Sequence, residues 1–169
     1  MLIGIGGVSR SGKSTLARML VNYFRDSGKT AIVLYQDDFV FPTTQIPMVR
    51  DKVDWEHPGS INHDLLWETT GFYRERFEVV IIDGFLAFHD SRLRERYDKR
   101  IFVRVSRETF LERKENDLRW GDIPRWFFDH IWESYLLYGI PDFAKHEYLQ
   151  ISGETMYDLE KILPQITME

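Results

Sequence analysis

Short apolar runs alternate with longer amphipathic segments along this chain. Leu2–Ile5 is an unbroken weakly polar-free run and predicts a buried strand. A helical pattern follows from Ser14 to about Asp26, and Ser27-Gly28 ends it. Ala31–Tyr35 predicts a second strand. Between Gln36 and Gly59, Pro42, Pro47 and Pro58 forbid a continuous helix, so this stretch reads as irregular. Ile61 to about Arg74 predicts a helix, and Val79–Ile82 a buried strand bounded by Asp83-Gly84. A short charged helix over Ser91–Tyr97 precedes a strand over Ile101–Val105. Helices over Arg107–Asn116 and Pro124 to about Tyr138 follow, then a last strand, Tyr148–Ile151, and a last helix, Thr155–Leu163. This alternation predicts an α/β fold: a five-stranded parallel sheet with helices on both faces, in one domain.

The turn between the first strand and the first helix carries the chemistry. Gly7-Val8-Ser9-Arg10-Ser11-Gly12-Lys13-Ser14 fits G-x-x-x-x-G-K-[ST]. In a strand–loop–helix setting this is a phosphate loop, and the fold is that of the P-loop nucleotide-binding proteins. Its glycines let backbone N–H groups turn inward onto phosphate oxygens, and the positive end of the helix adds to the same field. Residues Gly7 through Thr15 are therefore expected to hold ATP, with Lys13 at the β- and γ-phosphates and the Ser14 hydroxyl on Mg²⁺.

In a sheet of this kind, ligands bind beyond the carboxyl ends of the strands. Gln36-Asp37-Asp38 and Asp83 fall at such ends, beside the phosphate loop. Asp83 closes an apolar strand in the manner of an acid that orients Mg²⁺; taken alone it would suit an Asx turn with Gly84, but beside a phosphate loop the Mg²⁺ role is expected. Gly84 stands where many hydrolytic ATPases carry a glutamate, which favours transfer to a bound acceptor over hydrolysis. Asp37 suits a general base for an attacking hydroxyl, and Asp38 a simple turn cap. The N-K-x-D motif of GTPases is missing; Asn62-His63-Asp64-Leu65 does not match it.

Composition narrows the field. The net charge is −5 over 169 residues, which argues against nonspecific nucleic-acid binding. There are no cysteines, so disulfides and thiolate metal sites are excluded. The five histidines lack metal spacing. The first apolar run is too short for a signal segment or a membrane span, so a soluble cytoplasmic protein is expected. Aromatics reach 15% and cluster between Trp120 and Tyr138. Trp126, Phe127, Ile131, Trp132 and Tyr135 recur at helical spacings, which predicts a core-facing helix. An exposed remainder could form a dimer face, so a monomer or a homodimer is expected.

The string Tyr35-Gln36-Asp37-Asp38-Phe39, with Phe41-Pro42, resembles the Q-D-D-F-F-x-P segment of nicotinamide riboside kinases, in the uridine-kinase-like group of phosphate-loop kinases. Trp55-Glu56-His57-Pro58, Ile81 to Leu86, and Asp122-Ile123-Pro124 running into His130-Ile131-Trp132 and Tyr135-Leu136 extend the likeness over most of the chain. The resemblance implies ATP-dependent phosphorylation of a ribonucleoside 5′-hydroxyl, with Asp37 as base and Phe39 and Asp122 in the acceptor site. It implies that Trp55 stacks on the nicotinamide ring and Glu56 holds the ribose hydroxyls. A lid over residues 112–123 supplies the cations Arg113, Lys114 and Arg119, of which Arg113 is the candidate catalytic clamp and Arg119 a further ATP contact. The family usually has Asp at the position of Glu56 and often Glu at that of Asp83. Nicotinamide riboside is the expected acceptor, uridine or cytidine the alternative; a noncatalytic ATP-sensing module is the reading from another class.

Overall fold

Residue parity in the first strand divides the molecule into two cores. In β1 (Leu2–Gly7), Ile3 and Ile5 are fully buried. They join Leu16, Leu20 and Phe24 of α1 (Lys13–Asp26) and Ile162 and Ile166 of α6 (Leu159–Thr167) in one cluster. Leu2 belongs to the opposite cluster, built from Leu66 of α2 (His63–Arg74), Leu93 of α3 (Ser91–Arg96), Phe110 of α4 (Arg107–Glu115) and Phe127 and Ile131 of α5 (Arg125–Ser134). Alternate side chains of a strand point to opposite faces, so each face of the sheet has its own helical layer. On the second face β1 carries glycine at position 6. A Cβ there would sit 2.5 Å from the Phe88 ring, so this aromatic packs directly on the strand backbone.

The computed structural model describes residues 1–117, 121 and 123–167. β2 (Ala31–Tyr35), β5 (Val79–Asp83), β6 (Lys99–Arg104) and β7 (Leu149–Ser152) complete a five-stranded sheet in the order β2-β5-β1-β6-β7, parallel throughout. In this register Asp83 pairs with both Ile5 and Tyr35. The end of β5, the end of β2 and the loop after β1 therefore open on one edge. A two-residue hairpin, β3 (Met48–Val49) and β4 (Lys52–Val53), interrupts the long connection from β2 to α2.

The expected elements are present, with shifted ends. β1 runs on to Gly7 and β6 spans Lys99–Arg104 rather than Ile101–Val105, because parallel pairing with β1 extends the ladder backwards. α2 starts at His63, not Ile61: Asn62 accepts the Leu65 N–H at 3.0 Å, and Ile61 pairs with Val40 instead. The aromatic helix ends at Ser134 and passes into a wider π-helical turn, Tyr135–Gly139. α6 starts at Leu159, four residues later than the pattern suggests, because the preceding segment is drawn over the phosphate loop, where Tyr157 donates to the Ser11 carbonyl at 3.4 Å.

Candidate active site

The loop joining β1 to α1 is held in an unusual backbone path. Gly7, Arg10 and Gly12 all have positive φ (147°, 63° and 99°). Two of these are glycine because space is lacking as well: a Cβ on Gly7 would lie 2.4 Å from the Val103 carbonyl oxygen, and one on Gly12 2.6 Å from the Tyr157 hydroxyl. The Ser11 N–H closes the turn on Val8 O at 3.1 Å. α1 then begins without a side-chain cap and without an acid in its first turn. α2, α3 and α4, in contrast, are capped by Asn62, Asp90 and Ser106. The first amides of α1 are thus left for an anion.

Lys13 lies buried at the floor of the loop, its Nζ donating to Val8 O at 3.0 Å. Burial lowers its pKa, while the charges of Asp83 and Asp37 oppose that shift. Asp83, also buried, is pushed upward by desolvation, against the pull of Lys13 and a hydrogen bond from Ser14. Its Oδ1 is buried with no hydrogen-bond partner. A hydroxyl beside an orphaned carboxylate oxygen is a hard oxygen donor pair, and it fits Mg²⁺. The alternative, an Asx turn with Gly84, does not occupy that oxygen. Asp37 is exposed at the rim, in the single 3₁₀ turn Gln36–Phe39 that follows β2. Gln36 beneath it is buried, and its Oε1 accepts the Leu86 N–H at 2.8 Å. A Cβ on Gly84 would come within 2.2 Å of that oxygen. Gly84 is therefore required by the lock that joins the ends of β2 and β5, whatever its bearing on hydrolysis.

No family profile matches the chain. Among solved structures, a possible uridine kinase from Bacillus stearothermophilus superposes with TM-score 0.59 over 89% of this chain and 88% of its own, at 16% identity. A shikimate kinase from Aquifex aeolicus gives TM-score 0.53 over 99% and 94%, at 19% identity. These establish the P-loop kinase fold. In sequence, a uridine kinase of Leuconostoc citreum is 33% identical over 144 residues, covering 70% of this chain and 69% of that protein. The chain belongs to the uridine-kinase-like family of nucleoside kinases. Its relatives include the nicotinamide riboside kinase of Eremothecium gossypii, 27% identical over 80% of this chain and 74% of that protein. Human nicotinamide riboside kinase 1 is 26% identical over 92% and 82%. It is accordingly an enzyme, a kinase, and the reading as a noncatalytic module falls away.

For a nucleoside kinase, the second substrate must sit within reach of the phosphate loop. The long β2–α2 connection leaves from the same sheet edge, at the end of β2. Trp55 is 40% exposed, with its carbonyl held by the Ser60 hydroxyl at 2.8 Å. Next to it, Glu56 turns inward. Its Oε2 is buried and unpartnered, and desolvation raises its pKa to about 7. Lys114 and His130 pull that value down, and Asp54 pushes it up. Phe39, expected at the acceptor, is partly buried against the α2–α5 core.

The cations expected of a lid separate. Arg113 donates to the carbonyls of Arg10 (3.1 Å) and Gly153 (2.8 Å), tying the phosphate loop to the β7–α6 turn. Lys114, one residue on, is buried, and its charge works to lower the Glu56 pKa. Arg119 and Asp122 of the expected site, and Trp120, lie outside the described residues. In the sequence Lys114 is one of several lid cations and His130 only a member of the family-like His130-Ile131-Trp132 string. Neither has a local signal: α4 and α5 bring them to Glu56 and Asp54 only on folding. Phe127, Ile131 and Tyr135 are buried and Trp132 partly so, as helical spacing predicts. His63 is partly buried, with Nε2 3.1 Å from Pro58 O. Among the described residues no cluster of His, Asp and Glu could hold a metal ion by itself, and no helix is long and apolar enough to cross a membrane.

Proposed function

We propose that the protein transfers the γ-phosphoryl group of ATP to the 5′-hydroxyl of nicotinamide riboside. The observation that carries this reading is the pairing of an exposed indole face with an inward carboxyl, Trp55 beside Glu56. A cationic pyridinium gains from a planar aromatic face and from nearby negative charge. A pyrimidine would need hydrogen-bond partners for its base edge, which an indole face does not supply. Glu56, once ionised, accepts the ribose hydroxyls.

The phosphate loop, Gly7 to Thr15, cradles the donor, and Lys13 neutralises charge on the transferring group. Asp37 takes the proton of the attacking hydroxyl. Ser14 and Asp83 would hold Mg²⁺, which supplies charge neutralisation at the β- and γ-phosphates. Residues 112–123 act as the lid. Arg113 enters this scheme by bracing the phosphate loop from its carbonyl side, with Arg119 as a further ATP contact and Asp122 and Phe39 at the acceptor's edge.

A second reading, uridine as acceptor, is favoured by the 33% identity to a uridine kinase. Competition between nicotinamide riboside and uridine, read as the ratio of kcat/KM, decides between them. A higher kcat/KM for uridine would overturn the nicotinamide assignment.

A further inference from the structure

The acceptor loop is fastened to α5 at two points, and both anchors lie on one face of that helix. Trp126 and His130 are four residues apart, so their side chains stack along the helix. The Arg50 guanidinium lies 4.3 Å from the Trp126 ring centre. It projects from the tip of the β3–β4 hairpin, at φ 53°. One turn further along, His130 Nε2 lies 2.8 Å from Asp54 Oδ1. The pair is largely shielded, with side chains 20% and 11% exposed. A carboxylate only accepts, so the ring nitrogen donates. Asp54 is fixed from the other side too: its N–H donates to Pro47 O at 2.8 Å, across the base of the hairpin.

Asp54 immediately precedes Trp55 and Glu56. We infer that the Asp54–His130 hydrogen bond is a positioning device for the nucleoside, setting the height and angle of Trp55 and Glu56 against the helix that follows the lid. This rests on the reading of Trp55 and Glu56 as acceptor groups. His130 touches no reacting atom; it acts through Asp54.

Steady-state kinetics with both substrates test it. His130→Ala is expected to raise the nucleoside KM about tenfold, with kcat and the KM for ATP within about twofold of wild type. His130→Gln, whose amide nitrogen stands where the ring Nε2 does, should recover most of the loss. Asp54→Asn, which keeps an acceptor oxygen but not its charge, should fall between. Equal changes in both KM values, a fall in kcat at constant nucleoside KM, or a glutamine variant as impaired as the alanine would overturn the proposal. Should His130→Ala fail to fold, an unchanged nucleoside KM in Asp54→Asn overturns it alone. Each variant is assayed with nicotinamide riboside and with uridine. A wild-type preference for uridine would count against the substrate assignment only, and a flat nucleoside KM across the variants against the positioning role only.

Discussion

The two halves of the site are built differently. The phosphate loop takes its path from its own backbone, with positive φ at Gly7, Arg10 and Gly12, an internal Ser11–Val8 turn and the start of α1; Arg113 and Tyr157 brace that path from outside. The acceptor loop has short 3₁₀ turns and a two-residue hairpin, and it takes its shape from distant partners, Trp126 and His130. One half is a local motif that recurs wherever a triphosphate must be gripped. The other is a custom surface, and it is where members of a nucleoside kinase family can diverge in acceptor without disturbing the donor.

Chemistry at the junction of the two halves gives the largest expected effect. Asp37→Asn should cut kcat by ~10²–10⁴ while leaving ATP affinity nearly unchanged. Single-turnover kinetics and ATP titration check this, and a parallel loss of ATP binding would place Asp37 with the donor half instead. Next comes the packing of the phosphate loop. A Cβ on Gly153 would lie 2.0 Å from the Ser11 carbonyl oxygen. Gly153→Ala should cost about 1–3 kcal/mol of stability and raise the KM for ATP more than that for the nucleoside. Chemical denaturation and the two KM values report it.

The acceptor half should respond in the opposite sense. Trp55→Ala is expected to raise the KM for nicotinamide riboside about tenfold, with ATP unaffected. A change in the ATP KM of the same size would blur the division between halves. The smallest effect concerns protons. Glu56 has its pKa raised to about 7, so it is largely neutral at pH 6 and ionised at pH 8. A carboxylate accepts ribose hydroxyls better than a carboxylic acid does. The nucleoside KM should therefore fall on the order of fivefold as pH rises through 7, and Glu56→Gln should flatten this profile. The same shift has a stability sign. Between the ordinary carboxyl pKa of 4.5 and about 7, the folded chain holds a proton that the unfolded chain releases. Stability contributed by this group is lost as pH rises across that window, and denaturation of Glu56→Gln should lack the trend.

What was legible in the chain was whatever depends on neighbours in sequence. The strand–loop–helix around Gly7–Ser14, the alternation of strands and helices, the acid at the end of Val79–Ile82 and the core face of the aromatic helix are all set by spacing within a few residues. The approximate ends of the elements were less so. Asn62 capping against Leu65, and the pull of Tyr157 over Ser11, moved two helix starts by competition that no local pattern records.

Tertiary structure alone decided the rest, because it depends on pairs far apart along the chain. Gly84 reads as a missing glutamate until Gln36 is seen packed against it. Arg113 reads as a clamp on the phosphates until α4 is seen to lay it on the carbonyls of Arg10 and Gly153, and Lys114 as a surface lid cation until it is seen buried. His130 finds Asp54 across 76 residues. Such partners meet only because two cores stack helices on both sides of one parallel sheet. Local spacing thus determined the strand–loop–helix of a phosphate loop and its place in the chain, whereas the packing of α4 and α5 decided how Asp54 and Glu56 are held.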